Sequence, residues 1–154
     1  MPEPRLPPTG RWAWPNRLER KGPMLTGGCF CGAIRYEADG APFREHNCHC
    51  SICRRTSGAP FLSMFSVRSI EFHVMKGQPT RFNSTAKSVR SFCSRCGTPL
   101  TGEHADFPEE IGITTASLDN PNLIPPRVNI HTGSRLEWVV PDGLPEYREG
   151  PRQE

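Results

Sequence analysis

The chain has 154 residues, room for one domain with a modest core. Its net charge of +3 is local: residues 1–24 hold five basic and two acidic side chains, and the other 130 residues hold fourteen of each. The body therefore lacks the electrostatic footprint of a nucleic-acid partner, and no apolar run approaches the ~20 residues of a membrane-spanning helix.

Residues 1–24 carry six prolines and little apolar periodicity. They read as a Pro-rich basic extension without stable structure. Trp12, Ala13 and Trp14 stop at Pro15, too short for a signal-peptide apolar region. From Leu25 the texture is β, and residues 25–148 read as one domain with a tail at 149–154. Ala33-Ile-Arg-Tyr-Glu-Ala38 alternates apolar and polar, the pattern of a half-exposed strand. Asp39-Gly40-Ala-Pro42 is a turn. The segments 61–65, 69–74, 80–82, 88–92, 111–116, 128–131 and 136–140 are further strand candidates. Short helices are expected only just after Cys50 and around Pro108-Glu-Glu110. Seventeen prolines and fourteen glycines set many turns between these short elements, which predicts an all-β fold of short antiparallel strands.

All seven cysteines fall in three tight clusters: Cys29-x-Cys31, Cys48-x-Cys50-x-x-Cys53 and Cys93-x-x-Cys96. Such spacings let one loop place two or three thiolates on one metal ion at about 2.3 Å. Disulfides fit poorly, since seven is odd and CxC spacing is awkward to bridge. Inert buried cysteines and an iron–sulfur cluster are weaker alternatives. Zinc suits the ligand set, and reduced thiols point to the cytoplasm. Gly27-Gly28-Cys29-Phe30-Cys31-Gly32 and Cys93-Ser-Arg-Cys96-Gly97 are glycine-flanked, zinc-ribbon-like knuckles. Paired, Cys29, Cys31, Cys93 and Cys96 close a four-thiolate structural site and staple the first strand to a later one. Hydrophobic residues make up only 35% of the chain, so the folding energy of a bound metal offsets a thin core.

Cys48, Cys50 and Cys53 have no obvious fourth partner. An open corner, held by water or substrate, is the leading reading; His46 and His49 are the candidate ligands in its place. Arg54 and Arg55 follow at once and set positive charge beside the metal, where they could hold a substrate carboxylate. A three-thiolate zinc carries a formal charge of −1, which makes it a poor Lewis acid for hydrolysis. It deprotonates a coordinating thiol instead. Thiolate is the nucleophile that attacks a carbonyl. The chemistry expected is the joining of a small thiol to a small aldehyde.

Gly27-Gly-Cys-Phe-Cys-Gly32, Cys48-His-Cys-Ser-Ile-Cys-Arg54, Ser57-Gly-Ala-Pro-Phe61 and Phe92-Cys-Ser-Arg-Cys-Gly-Thr-Pro99 together resemble the glutathione-dependent formaldehyde-activating enzyme family, shared with the centromere protein V domain. The resemblance covers roughly residues 25–148, and Ala116-Ser-Leu-Asp-Asn-Pro121 and Trp138 extend it. It implies a β-tent fold and two zinc ions per chain. One is structural, on Cys29, Cys31, Cys93 and Cys96. The other is catalytic, on Cys48, Cys50 and Cys53. It implies a carbon–sulfur lyase that condenses glutathione with formaldehyde. One stretch departs: where many members carry His-Ile-Trp, this chain reads Asn129-Ile130-His131. The competing functions are a non-catalytic zinc module for partner binding and a thiol or aldehyde carrier. A homo-oligomer is compatible with either.

Overall fold

A computed structural model describes residues 21–150. Residues 1–20 of the expected extension, its two tryptophans included, and the last four residues of the tail lie outside the described residues. The chain runs β1 (Lys21–Gly28), β2 (Arg35–Gly40), β3 (Phe43–Cys48), the helix α1 (Ser51–Ser57), β4 (Leu62–Arg68), β5 (Phe72–Lys76), β6 (Thr80–Asn83), β7 (Ser88–Phe92), β8 (Pro99–His104), β9 (Glu110–Thr114) and β10 (Val128–Ile130). The fold is all-β, as the turn-rich sequence predicts. No helix among the described residues is long and apolar enough to cross a membrane.

Three strands form a small antiparallel sheet in the order β1-β2-β5. The other seven form a larger sheet in the order β10-β3-β4-β9-β8-β7-β6, antiparallel except where β10 runs parallel to β3. Strand β4 sits inside the larger sheet, and its alternate residues serve two cores. Phe65 and Val67 join the main core with Leu25, Tyr36, Leu100 and Ile113. Leu62 and Met64, on the other face, join a smaller core with Val128 and Ile130. Side-chain alternation along the strand divides the two sets. Tyr36, almost fully buried, places its hydroxyl 2.7 Å from Ser117 Oγ, so its polar end is satisfied inside the main core. Burial pushes the Tyr36 phenol up to about 12.

The structure shifts several expected elements. Residues 69–74 are not one strand: Ser69–Glu71 form a 3₁₀ turn, closed by the Arg68 amide donating to Glu71 Oε2 at 3.0 Å, before β5 begins. Residues 136–140 form a turn instead of a strand, with the Val139 amide on the Leu136 carbonyl at 3.0 Å. Trp138 and Val140 there are exposed and have no core to join. Pro108 and Glu109 lie in the β8–β9 turn and form no helix. Strand β3 was not expected, because Phe43-Arg-Glu-His-Asn-Cys48 is rich in polar residues. Two of these, Glu45 and Asn47, are nevertheless buried.

The main core joins the two sheets through β4. Phe65→Ala is expected to lower the unfolding free energy by about 3–5 kcal/mol, read from the urea midpoint of the metal-loaded protein. A loss below ~1 kcal/mol would show that this contact does not hold the sheets together.

Candidate functional site

The first knuckle leaves β1 and turns back into β2. The Cys29 amide donates to the Ile34 carbonyl at 3.1 Å, and the Gly32 amide donates to the Cys29 carbonyl at 3.0 Å. Gly32 has φ +72°. A Cβ there would touch nothing, so the requirement for glycine is conformational and not spatial. The second knuckle, between β7 and β8, repeats the design. The Gly97 amide donates to the Cys93 carbonyl at 2.8 Å, with Gly97 at φ +78°. The Phe30 amide reaches across to Thr98 Oγ1 at 3.1 Å and ties the knuckles together.

Four sulfurs, those of Cys29, Cys31, Cys93 and Cys96, converge within 4.8 Å of one another. The Cys29–Cys31 and Cys31–Cys93 separations are 3.6 and 3.8 Å. Tetrahedral ligands about 2.3 Å from one ion stand about 3.8 Å apart. Disulfide sulfurs stand at about 2.05 Å, and all seven cysteines are free. The donor set and its spacing therefore fit one tetrahedral metal ion. The Ile34 amide donates to Cys29 Sγ at 3.2 Å, which stabilises negative charge on that sulfur. Thr98, through its hydroxyl on Cys96 Sγ at 3.2 Å, pulls the Cys96 thiol down to about 5.

Cys48, Cys50 and Cys53 form the second set, also within 4.8 Å of one another. Cys48 ends β3, Cys50 is the N-cap of α1, and Cys53 lies in its first turn. The Cys53 amide donates to Cys50 Sγ at 3.3 Å. Hydrogen bonds from the Cys48 and Cys53 thiols pull the Cys50 thiol far down, and the same contact with Cys50 pushes the Cys48 thiol far up. Three neighbouring thiols thus share little negative charge on their own. A cation removes that limit, so this donor set also fits a metal ion. Among the described residues no histidine nitrogen or carboxylate oxygen joins either set.

His46 and His49 have other partners. His46 Nδ1–H donates to the Arg44 carbonyl at 2.6 Å, and burial pushes the imidazole down to about 4. His49 is buried with its ring against Phe61, at 5.2 Å between centroids. Its Nε2–H donates to Asn129 Oδ1 at 3.0 Å, and Asn129 Nδ2 donates to Asp142 Oδ1 at 2.8 Å. This chain, buried at His49 and Asn129 and ending on the exposed Asp142, holds the backbone between Cys48 and Cys50. Arg54 Nε donates to the His49 carbonyl at 3.3 Å, while Arg55 is exposed on α1.

Sequence reasoning missed Arg90. From β7 its Nη2 reaches Cys53 Sγ at 3.2 Å. Strand alternation in Ser88-Val-Arg-Ser-Phe92 sets Arg90 opposite the buried Ser91. No spacing signal links it to a cysteine thirty-seven positions away.

An all-β domain carrying one four-thiol and one three-thiol set belongs to a class of metal-binding β proteins. The model of the family described as "Glutathione-dependent formaldehyde-activating enzyme" matches residues 24–134, and the chain belongs to that family. A Halomonas elongata protein named "Putative glutathione-dependent formaldehyde-activating enzyme" is 29% identical over 125 residues, 75% of this chain and 80% of that protein. A crystal structure of a Rhodobacter sphaeroides protein matches with a TM-score of 0.53 at 24% identity. It covers 79% of this chain and 98% of that one, a likeness of fold.

Metal binding to either set displaces thiol protons, so acid competes with metal. The first set offers four protein thiols and the second three, so one protein ligand fewer holds a metal in the second. As pH falls from about 7.5 to about 4.5, the second set is expected to release its metal at the higher pH. A chromogenic chelator followed through the titration, with Cys50→Ser to assign the phases, reads the order. Release from the first set before the second would contradict it.

Proposed function

We propose that the chain is a zinc-dependent carbon–sulfur lyase that adds a thiol, glutathione, to a small aldehyde such as formaldehyde. The observation that carries this reading is the three-thiol set, to which no fourth protein donor belongs among the described residues. Zinc in such a site supplies the means to keep a fourth, exogenous thiol as thiolate at neutral pH. Cys48, Cys50 and Cys53 are the residues that would hold it. Cys29, Cys31, Cys93 and Cys96 would hold a second, structural zinc. Arg54 and Arg55 remain candidates for substrate carboxylates, although Arg54 is partly engaged by the His49 carbonyl.

In the addition, the thiol sulfur forms a bond to the aldehyde carbon. The carbonyl π pair moves onto oxygen, which takes the proton that the thiol gave up, so S–H adds across C=O. Three thiolates exceed the charge of a divalent ion by one, and the Arg90 guanidinium beside Cys53 offsets that excess. Cys50 is half-buried while Cys48 and Cys53 are buried, so Cys50 is the sulfur of this set that solvent reaches. The family's name supports the thiol and the aldehyde. Reduced thiols of this kind suit the cytoplasm.

The test is Cys50→Ser in the full chain. Zinc by elemental analysis is expected to fall from two ions per chain to about one, with the circular dichroism spectrum unchanged. Enzymatic exchange between glutathione and S-hydroxymethylglutathione, read by magnetisation-transfer NMR above the uncatalysed rate, is expected to fall by at least about a hundredfold. Exchange equal to wild type in that variant would remove the catalytic role of the second set.

A further inference from the structure

One face of the larger sheet packs against the small sheet, and the other carries the smaller core. On that second face the strand registers set Arg90 of β7, Gly102 of β8, Gly112 of β9 and Ser66 of β4 side by side. Two paired glycines in mid-sheet leave a low floor where side chains would otherwise stand. Backbone conformation does not demand glycine at Gly102, whose φ lies outside the left-handed region, and a Cβ there would meet only the Met64 methyl at 3.4 Å. The result is a trough of about 200 Å³ over the glycines, lined among others by Arg44, His46, Arg90, Phe107 and the carboxylates Glu103 and Glu110.

The cations around the trough differ in what they hold. Arg44 pairs with Glu110, Nε to Oε2 at 3.1 Å, and lies 4.5 Å above the Phe107 ring. The neighbouring Arg81 is held by Glu103. Arg90 makes no ion pair with a carboxylate among the described residues. Its Nη2 lies on Cys53 Sγ, and its Nε is buried without a partner. A buried donor without an acceptor is costly. A guanidinium fork with free N–H groups fits a carboxylate.

We propose that this trough seats the anionic backbone of the thiol substrate, and that Arg90 joins it to the three-thiol set. One edge of the guanidinium faces Cys53 Sγ, and its remaining N–H groups take a substrate carboxylate. That places a peptide thiol's sulfur within a side chain's length of the cysteines. It selects a carboxylate-bearing peptide thiol over a small neutral one. The inference rests on the glutathione-dependent reading above and adds where the peptide lies and which residue recognises it. Arg90 is a substrate-binding residue in this scheme.

The test uses the full-length, zinc-loaded chain with two variants, Arg90→Gln and Gly102→Val. The second fills the trough without touching the cysteines. Titration calorimetry is run with S-methylglutathione, which keeps the peptide and has no thiol to ionise, and with cysteamine, which has a thiol and no carboxylate. Both variants are expected to weaken S-methylglutathione binding by at least about tenfold. Arg90→Gln is expected to change cysteamine binding by less than about twofold. Zinc content is measured in each; if Arg90→Gln loses zinc, the comparison rests on Gly102→Val. Wild-type affinity for S-methylglutathione in Gly102→Val would overturn the trough and leave the lyase reading standing. A wild-type chain that binds neither glutathione nor cysteamine would remove the lyase reading, and the trough's assignment with it.

Discussion

Where the two sheets of this protein meet, four sulfurs converge. Cys29 and Cys31 follow the first strand of the small sheet, while Cys93 and Cys96 sit between two strands of the large one. Cys29 and Cys93 are also part of the main core, beside Ile34 and Leu100. The core is thin for the chain's length, and the first thiol set lies where the two layers meet. A metal ion held there would act as a clamp between the layers, because a loaded site exists only in the folded state.

The second thiol set is built differently. It belongs to the smaller core with Leu62, Met64, Val128 and Ile130, and its sulfurs come from the end of β3, the cap of α1 and the first turn of α1. Geometry there is fixed by what surrounds the cysteines. His49 is locked through Asn129 to Asp142, and Arg90 leans on Cys53 from another strand. Neighbours of this kind orient metal ligands, and their loss commonly weakens metal binding about 10–100-fold. One set is thus closed and woven into the main core. The other is three-sided and borders a trough. That division is what the proposed structural role of the first and chemical role of the second require.

The stretch Asn129-Ile130-His131, which departs from the pattern common in the resembling family, has a physical role here. Asn129 is buried and bridges His49 to Asp142, and Ile130 packs in the smaller core. His131 sits at φ +54°, in the left-handed region, where the chain leaves β10. The departure therefore supports the second thiol set from behind.

Much of the chemistry is legible in the sequence by itself. Cysteine spacing is local, and a CxC or CxxC turn with a following glycine is readable because only a few backbone shapes bring two sulfurs together. Strand texture was readable where apolar alternation was clean, as in β2, β4, β7 and β9. It failed at β3, whose polar residues are buried by partners distant in sequence, and at 136–140, whose apolar residues find no layer to join. Which knuckle meets which followed from counting ligands. Tertiary structure alone decided that Arg90 reaches Cys53, that His49 is held by Asn129, and that two glycines fall side by side to open a trough. Those contacts depend on strand register between segments far apart in the chain. Register is set by the packing of the whole sheet, and no local pattern of residues records it.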